Sequence, residues 1–184
     1  MPTTKHPSGH ERTFGDDEII VTKTDLQGRI TYANDVFLRV ASYTEREVIG
    51  AAHSIVRHPD MPRSVFKLLW DTIQQRDEIF AYVLNMASNG DHYWVFAHVT
   101  ASYDMAGNHI GYHSNRRVPQ ADALEQVKPL YAKVLAIEQA QASPRAEVEA
   151  GFNALVSTLG SLNMTYGQFV FSLSKSTCLE ASVR

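Results

Sequence analysis

The sequence has little of several features that define common protein classes. Its 184 residues contain one cysteine, Cys178, so we expect no internal disulfide, which fits a reducing compartment. No apolar run approaches the roughly 20 residues that a transmembrane helix needs, and no charged-then-apolar leader is present. The formal net charge of -3 gives no reason to expect nucleic acid as a partner. We therefore expect a cytoplasmic protein without a direct membrane span.

Catalytic patterns are also missing from the sequence. We find no Ser-His-Asp order, no metal-ligand spacing and no paired carboxylates that would indicate acid–base chemistry. Asp91 and His92 lie together, but in a predicted tight turn, where a structural role is the more common one. We therefore expect no enzyme activity and no metal site.

Strand and turn patterns indicate an α+β fold. Two β-rich runs at 19–21 and 29–33, separated by D-L-Q-G, predict a hairpin. Asn34 is placed to cap a short helix, and Thr44 with Glu47 has the spacing of a capping box. Three further strand-like runs follow at 79–84, 92–101 and 109–115. Strands grouped on both sides of several helices argue against alternating β-α-β units.

The stretch from His53 to Trp70 concentrates polar residues ahead of a helix. It reads H-S-I-V-R-H-P-D-M-P and then R-S-V-F-K-L-L-W, the second part with apolar residues at helical spacing. We expect Asp60 to cap this helix, with Pro62 in its first turn. Two interpretations stay open: a capped helix after a polar loop, and an anion cradle formed by helix-start amides, Arg57 and His58.

The pattern changes at Ala121. Apolar residues recur at helical spacing, interrupted by Pro129 and by the break at Ser143-Pro144. We expect one or two antiparallel helices that pack on the sheet, on a second copy or on a partner helix. The predicted layout is a flexible arm at 1–17, a domain at 18–120 and a helical extension for signalling or dimerisation at 121–184.

The local sequence resembles that of a known family over about residues 18–120. The run H-S-I-V-R-H-P-D-M-P, Trp70 on the next helix and N-G-D-H-Y-W-V at 89–95 resemble the FAD-binding PAS domain of bacterial aerotaxis (energy-taxis) receptors. The segments T-D-L, I-T-Y-A-N-D and Y-T at 24–26, 30–35 and 43–44 agree as well. The resemblance implies the PAS fold, a five-stranded antiparallel sheet with short helices around a cofactor pocket.

The resemblance also implies non-covalent FAD in that pocket, acting as a redox, oxygen or energy sensor that signals to a chemotaxis transducer. Six residues fall on positions that the family associates with FAD: His53, Arg57, His58, Asp60, Trp70 and Asn85. Arg57 and His58 suit the pyrophosphate or adenosine end, and Asp60 would orient one of them. Trp70 offers a flat face to a ring, and Asn85 can donate and accept hydrogen bonds at the isoalloxazine edge.

The chain departs from the family at positions that line or border the expected pocket. A tryptophan usual before the third strand is replaced by Ile79 and Phe80, and His113, Asn115 and Arg117 stand where apolar or hydroxyl residues are usual. The family's membrane anchor and methyl-accepting coiled coil are not in the sequence. We therefore expect a homodimer that acts on a separate membrane chemoreceptor or another signalling protein.

Two alternatives to a flavin sensor stay open. One is a haem PAS gas sensor, with an axial ligand from His53, His58, His98 or His113. The other is a PAS protein-interaction module without a cofactor. A photochemical flavin domain is not expected, because its adduct needs a cysteine beside the ring and Cys178 lies far beyond the PAS region. FAD rather than FMN rests on the resemblance.

Overall fold

The computed structural model describes the backbone of residues 6–180 and the side chains of residues 6–173. Within that part, five strands form one antiparallel sheet in the order β2-β1-β5-β4-β3. The strands are β1 (Ile20–Thr24), β2 (Ile30–Ala33), β3 (Ile79–Met86), β4 (His92–Tyr103) and β5 (His109–Arg117). This confirms the predicted α+β class and hairpins. The Cys178 side chain lies outside the described ones.

Along the chain, the helices of the domain lie between the first two strands and the last three. They are α1 (Asp35–Ala41), α2 (Glu45–Val48), a 3-10 turn (His53–Val56) and α3 (Arg63–Gln74). The Asn34 side chain accepts hydrogen bonds from the amides of Phe37 and Val21, both at 3.0 Å, so it caps α1 and ties that helix to β1. Thr44 and Glu47 form the predicted capping box at α2.

The hydrophobic core lies between one face of the sheet and these helices. Its fully buried members include Ile20 and Ile30 from the first hairpin, Phe37 from α1, and Val65 and Ile73 from α3. Side chains alternate along β3, so Val83 and Asn85 face a cavity under α3. Tyr82, one position away, is on the opposite face.

Helices α4 (Ala121–Gln139) and α6 (Tyr166–Glu180) cover that opposite face. The Tyr131 hydroxyl donates to the Tyr82 carbonyl at 2.9 Å and lies 2.7 Å from the Tyr166 hydroxyl. The rings of Phe80 and Phe171 are 5.0 Å apart. The extension therefore packs on the sheet, which was one of the three predicted arrangements. α4 continues through Pro129.

Helix α5 (Pro144–Ser161) returns across α3. Ser143 caps it, with Pro144 in its first turn, as the break in the pattern suggested. Arg63 on α3 pairs with Glu147 on α5 at 3.2 Å. Three helices follow the domain within the described residues, rather than one or two, because the apolar run near the end of the chain forms α6.

The N-terminus of α3 is capped by Glu138, from α4. This carboxylate is 2 % exposed and accepts from the amides of Arg63 and Ser64, each at 2.8 Å. The prediction that Asp60 caps α3 is wrong. Pro62 is the N-cap residue, so Asp60 lies outside the position whose side chain reaches the first amides, and its own side chain is 64 % exposed.

Residues ahead of β1 lie along the turn between β3 and β4. Ser8 and Arg12 hydrogen-bond to the Asp91 carboxylate at 2.8 and 3.1 Å. Arg12 also donates to the carbonyl of Val40 at 2.7 Å. The predicted division of the chain at 17 and 120 stays a prediction, and α4 begins at Ala121.

Gly151 on α5 gives space for the Glu138 carboxylate, and a Cβ at this position would overlap it. Gly151→Ala should therefore lower the free energy of unfolding by about 1–3 kcal/mol, measured by urea denaturation. Gly160→Ala on the same helix is the matched control, because a Cβ there meets nothing within 4 Å. That control should gain about 0.5–1 kcal/mol. Equal gains for both variants would contradict the close contact at Gly151.

Candidate functional site

A cavity of about 450 Å³ lies between the inner face of the sheet, the 3-10 turn and α3. Its volume is within the roughly 300–1,000 Å³ of small-molecule and cofactor sites. Apolar side chains supply much of its wall, among them Val56, Leu69, Ile73, Val83 and Val99. Val148 of α5 also lines it, so the helical extension forms part of the site.

Four of the six predicted site residues line this cavity. They are His53, Arg57, Trp70 and Asn85. His58 and Asp60 are not among the lining residues, although they belong to the same run of sequence. The structure therefore brings together residues from the 3-10 turn, from α3 and from β3.

Arg57 and Asn85 are held side by side by their backbones. An antiparallel bridge joins the two residues at the edge of β3. The Arg57 guanidinium stacks on Phe66, with its carbon 5.0 Å from the ring centroid. Burial is the main cause of a lowered pKa of Arg57, and the nearby Arg63 charge adds to it. Arg57 thus presents a partly desolvated cation to the cavity.

Trp70 forms one wall and is fixed by two neighbours. Its ring meets Tyr112 edge to face, with centroids 5.4 Å apart. Gly28, at φ +75°, lies against it so closely that a Cβ would be 2.9 Å from the Trp70 ring. A side chain at this turn would therefore displace the indole.

His58 and Asp60 hold the turn that carries Arg57. The Nδ1 atom of the buried His58 accepts from the Asp60 amide at 3.1 Å, and its ring meets His92 edge to face at 5.8 Å. Burial, more than any neighbour, lowers the pKa of His58. Glu138 occupies the amides of Arg63 and Ser64, so the idea that helix-start amides complete an anion cradle is wrong.

Sequence reasoning missed Arg116. This residue is 4 % exposed and lines the inner part of the cavity together with Ser114 and Thr22. The family resemblance had marked the neighbouring Arg117 as a departure from the usual pattern, but Arg117 is exposed. The alternation along β5 was the signal that could have found it, because Tyr112, Ser114 and Arg116 share the inward parity.

Arg116 and His53 form a hydrogen-bonded pair. Nη2 of Arg116 lies 2.7 Å from Nε2 of His53 and donates to Thr22 Oγ1 at 2.7 Å. Burial, with Arg116 as the second cause, lowers the pKa of His53 to about 3. Burial also lowers the pKa of Arg116, to about 10. At neutral pH the pair is therefore a cation that donates to a neutral imidazole.

The charge balance of the cavity is one-sided. Arg57, Arg63, Lys67 and Arg116 line it, and no aspartate or glutamate is found among its described lining residues. Arg63 and Lys67, near the exposed mouth, are paired with Glu147 and Asp71. An apolar, aromatic-walled pocket with inner and outer cations is suited to a planar ligand that carries negative charge.

The part of the chain that the structure describes lacks two other kinds of feature. No three side chains of His, Cys, Asp or Glu come together as a group that could hold a metal ion there. Across the same residues, no helix combines the length and apolar character that crossing a membrane requires.

Comparison with known proteins agrees with this geometry. Residues 30–115 match the family model described as PAS fold. The chain is 40 % identical to the aerotaxis receptor of Escherichia coli K12 over 118 residues, which are 64 % of this chain and 23 % of the receptor. It is 26 % identical to a nitrogen fixation regulatory protein of Klebsiella pneumoniae over 98 residues, 53 % of this chain and 20 % of that protein. The chain thus spans less than a quarter of the length of either relative.

Solved structures show the same fold. A light-oxygen-voltage domain aligns with a TM-score of 0.51 at 20 % identity, covering 60 % of this chain and 83 % of that one. A PAS domain of a protein from Colwellia psychrerythraea aligns with a TM-score of 0.50 at 16 % identity, covering 55 % and 86 % of the two chains. At these identities the likeness concerns the fold alone.

The depressed pKa of His53 predicts a pH dependence of stability. Below the ordinary value of 6.5 an unfolded chain protonates this histidine, whereas the folded chain does not until about pH 3. The free energy of unfolding should therefore fall as the pH is lowered through this window. His53→Gln keeps an acceptor for Arg116 and should flatten the slope between pH 4.5 and 6.5 in urea denaturation. His6→Gln, at an exposed histidine, is the control, and equal slopes for both variants would contradict the assignment.

Proposed function

Residues 30–115 match the family model described as PAS fold, and on that premise we propose that the chain is a flavin-binding PAS sensor. It holds FAD non-covalently in the cavity and reports the redox state of the flavin, as a measure of oxygen or energy supply, to a chemotaxis transducer. The observation that carries the proposal is the cavity itself, whose described lining joins aromatic and apolar walls to cations and includes no carboxylate.

The buried polar groups of the cavity fit such a ligand. Arg116 Nη1 and Ser114 Oγ are buried and lack a hydrogen-bond partner among the described residues. Buried polar groups are rarely left without partners in folded proteins, so these atoms are suited to meet a ligand that carries acceptors. A flavin ring offers carbonyl and ring-nitrogen acceptors along one edge.

Three of the lining residues have a proposed role in holding FAD. Arg57, which directly follows the 3-10 turn, binds the pyrophosphate. Trp70 presents its ring to the flavin or the adenine. Asn85 donates and accepts at the isoalloxazine edge. His58 and Asp60, which the structure places off the cavity wall, support Arg57 by fixing its turn.

The relatives support the sensory part of the proposal. The E. coli aerotaxis receptor is the more similar of the two described above, and the resemblance to FAD-binding PAS domains of such receptors implies the same cofactor here. The partner is then a membrane chemoreceptor or another signalling protein. The chain would act on it in the cytoplasm as a homodimer. The extension exposes Val156, Leu162 and Phe171, which supports a role in protein contacts.

The structure disfavours haem through His53. Of the four histidines weighed as axial ligands, His53 lines the cavity, whereas His58, His98 and His113 do not. Nε2 of His53 already accepts from the Arg116 guanidinium at 2.7 Å. An iron ion at that nitrogen would have to displace the hydrogen bond and lie beside a buried positive charge.

The redox signal passes from the cavity to the helical extension through α3. Bound FAD supplies reversible electron uptake, which changes charge and hydrogen bonding at the ring edge. Asn85 and the strands from β3 to β5 respond to that change, and α3 forms the facing wall. Glu138 and Val148 join α3 and the cavity to α4 and α5. The output is a population shift of the extension, limited by the difference in free energy between the two states.

The visible spectrum of the purified protein tests the proposed function. We expect a flavin spectrum, and FAD rather than FMN in the denatured extract. Arg57→Ala should weaken FAD binding by about 1.5–3 kcal/mol, because a charge-assisted contact is lost. Arg46→Ala, at an exposed arginine on α2, should bind FAD like the wild type. A haem spectrum or a colourless protein that takes up no added flavin would overturn the function, and unchanged affinity in Arg57→Ala would remove Arg57 from the site.

Hydrogen exchange of the extension tests the route. Amide protection over residues 121–173 should differ between oxidised protein and protein reduced with dithionite. Glu138→Gln should diminish that difference, because it weakens the cap that joins α4 to α3. Glu125→Gln, at an exposed position of the same helix, should preserve it. Identical protection in both redox states of the wild type would refute coupling between the cavity and the extension.

A further inference from the structure

Arg116 is a buried cation that meets no carboxylate among the described residues of the cavity. It extends from β5 into the inner part of the cavity, and its Nη2 atom makes both of its described hydrogen bonds, to Thr22 Oγ1 and His53 Nε2. Nη1 is buried and has no hydrogen-bond partner among the described residues. Half of the guanidinium fork is therefore left unpaired by the described residues.

The groups that face Arg116 from the surrounding elements are neutral. β1 contributes the Thr22 hydroxyl, the 3-10 turn contributes His53, and α1 contributes the Phe37 ring at 6.0 Å. Tyr93 on β4 is the acid whose charge Arg116 would feel, but burial raises the pKa of that phenol, so it stays protonated at neutral pH. No carboxylate lines the described cavity.

A buried cation of this kind destabilises the folded protein unless a negatively charged group binds beside it. Removing a cation from water carries a desolvation penalty that only an anion or several strong hydrogen bonds can offset. The arginines and lysine near the mouth do not have this problem, because Arg63 and Lys67 are paired with carboxylates. The unbalanced charge is that of Arg116, whereas Arg57 is the residue proposed for the pyrophosphate.

We propose that Arg116 binds the negatively charged reduced form of the flavin at the inner end of the cavity and so raises its reduction potential. The inference rests on the proposed function. Oxidised flavin takes up two electrons and one proton to give a singly negative reduced ring, with the electrons supplied here by dithionite. Arg116 stabilises that product more than the neutral oxidised ring, whereas His53 stays neutral and orients the guanidinium.

The reduction potential of the bound flavin tests the proposal. Arg116→Gln should lower the preference for the reduced form by at least about tenfold, since a near opposite charge is worth one to three pKa units. For a two-electron couple tenfold is about 30 mV. Arg116→Lys keeps the charge and should recover part of the loss. Arg117→Gln, the exposed neighbour on the same strand, should leave the potential unchanged.

A second measurement uses the wild type and so does not depend on how well the variants fold. The pH dependence of the potential between pH 6 and 8 should correspond to one proton per two electrons, because the reduced ring stays negative beside Arg116. Uptake of two protons would overturn the proposal. So would an Arg116→Gln protein that binds flavin with an unchanged potential. Failure of the wild type to bind any flavin would instead refute the proposed function itself.

Discussion

The capping of α3 by a carboxylate from α4 is the contact on which the arrangement of the molecule depends. Glu138 is buried, and the penalty for removing a carboxylate from water is several kcal/mol. Two hydrogen bonds from the amides of Arg63 and Ser64 and the favourable end of the helix dipole offset it. The glycine at position 151 is what allows α5 to approach this carboxylate. One interaction thus joins the wall of the cavity, the first helix of the extension and the second.

The cavity beneath α3 combines two kinds of electrostatic environment. Near the mouth, Arg63 and Lys67 are paired with acids on α5 and α3, which keeps that region close to neutral. At the inner end, Arg116 is desolvated and faces a neutral imidazole, a hydroxyl and a protonated phenol. A potential of one sign in a low-dielectric pocket acts strongly on whatever charge appears there. In the proposed sensor, this difference would separate a region that holds the ligand from one that responds to a change in its charge.

Much of the fold followed from local sequence. The hairpin turns, the Asn34 cap and the Thr44–Glu47 capping box depend on residues a few positions apart, and all three formed as predicted. The site was predicted less completely. His53, Arg57, Trp70 and Asn85 reach the cavity, but His58 turns away to bond the Asp60 amide. Arg116 was overlooked because its neighbour Arg117 differed more visibly from the family pattern, and only strand parity distinguishes an inward from an outward arginine.

Periodicity, turns and caps act over a few residues, so they predicted the class of the fold, the succession of strands along the chain and the run of residues that supplies part of the cavity wall. Three features depend on the packing of the whole fold: what caps α3, which histidine faces the cavity, and the lack of a carboxylate beside Arg116 among the described cavity residues. The physical reason is distance along the chain. Glu138 is 75 residues from the amide it bonds, and Arg116 is 63 residues from His53. Contacts of that kind depend on how the sheet, α3 and the extension pack together, which no local pattern records.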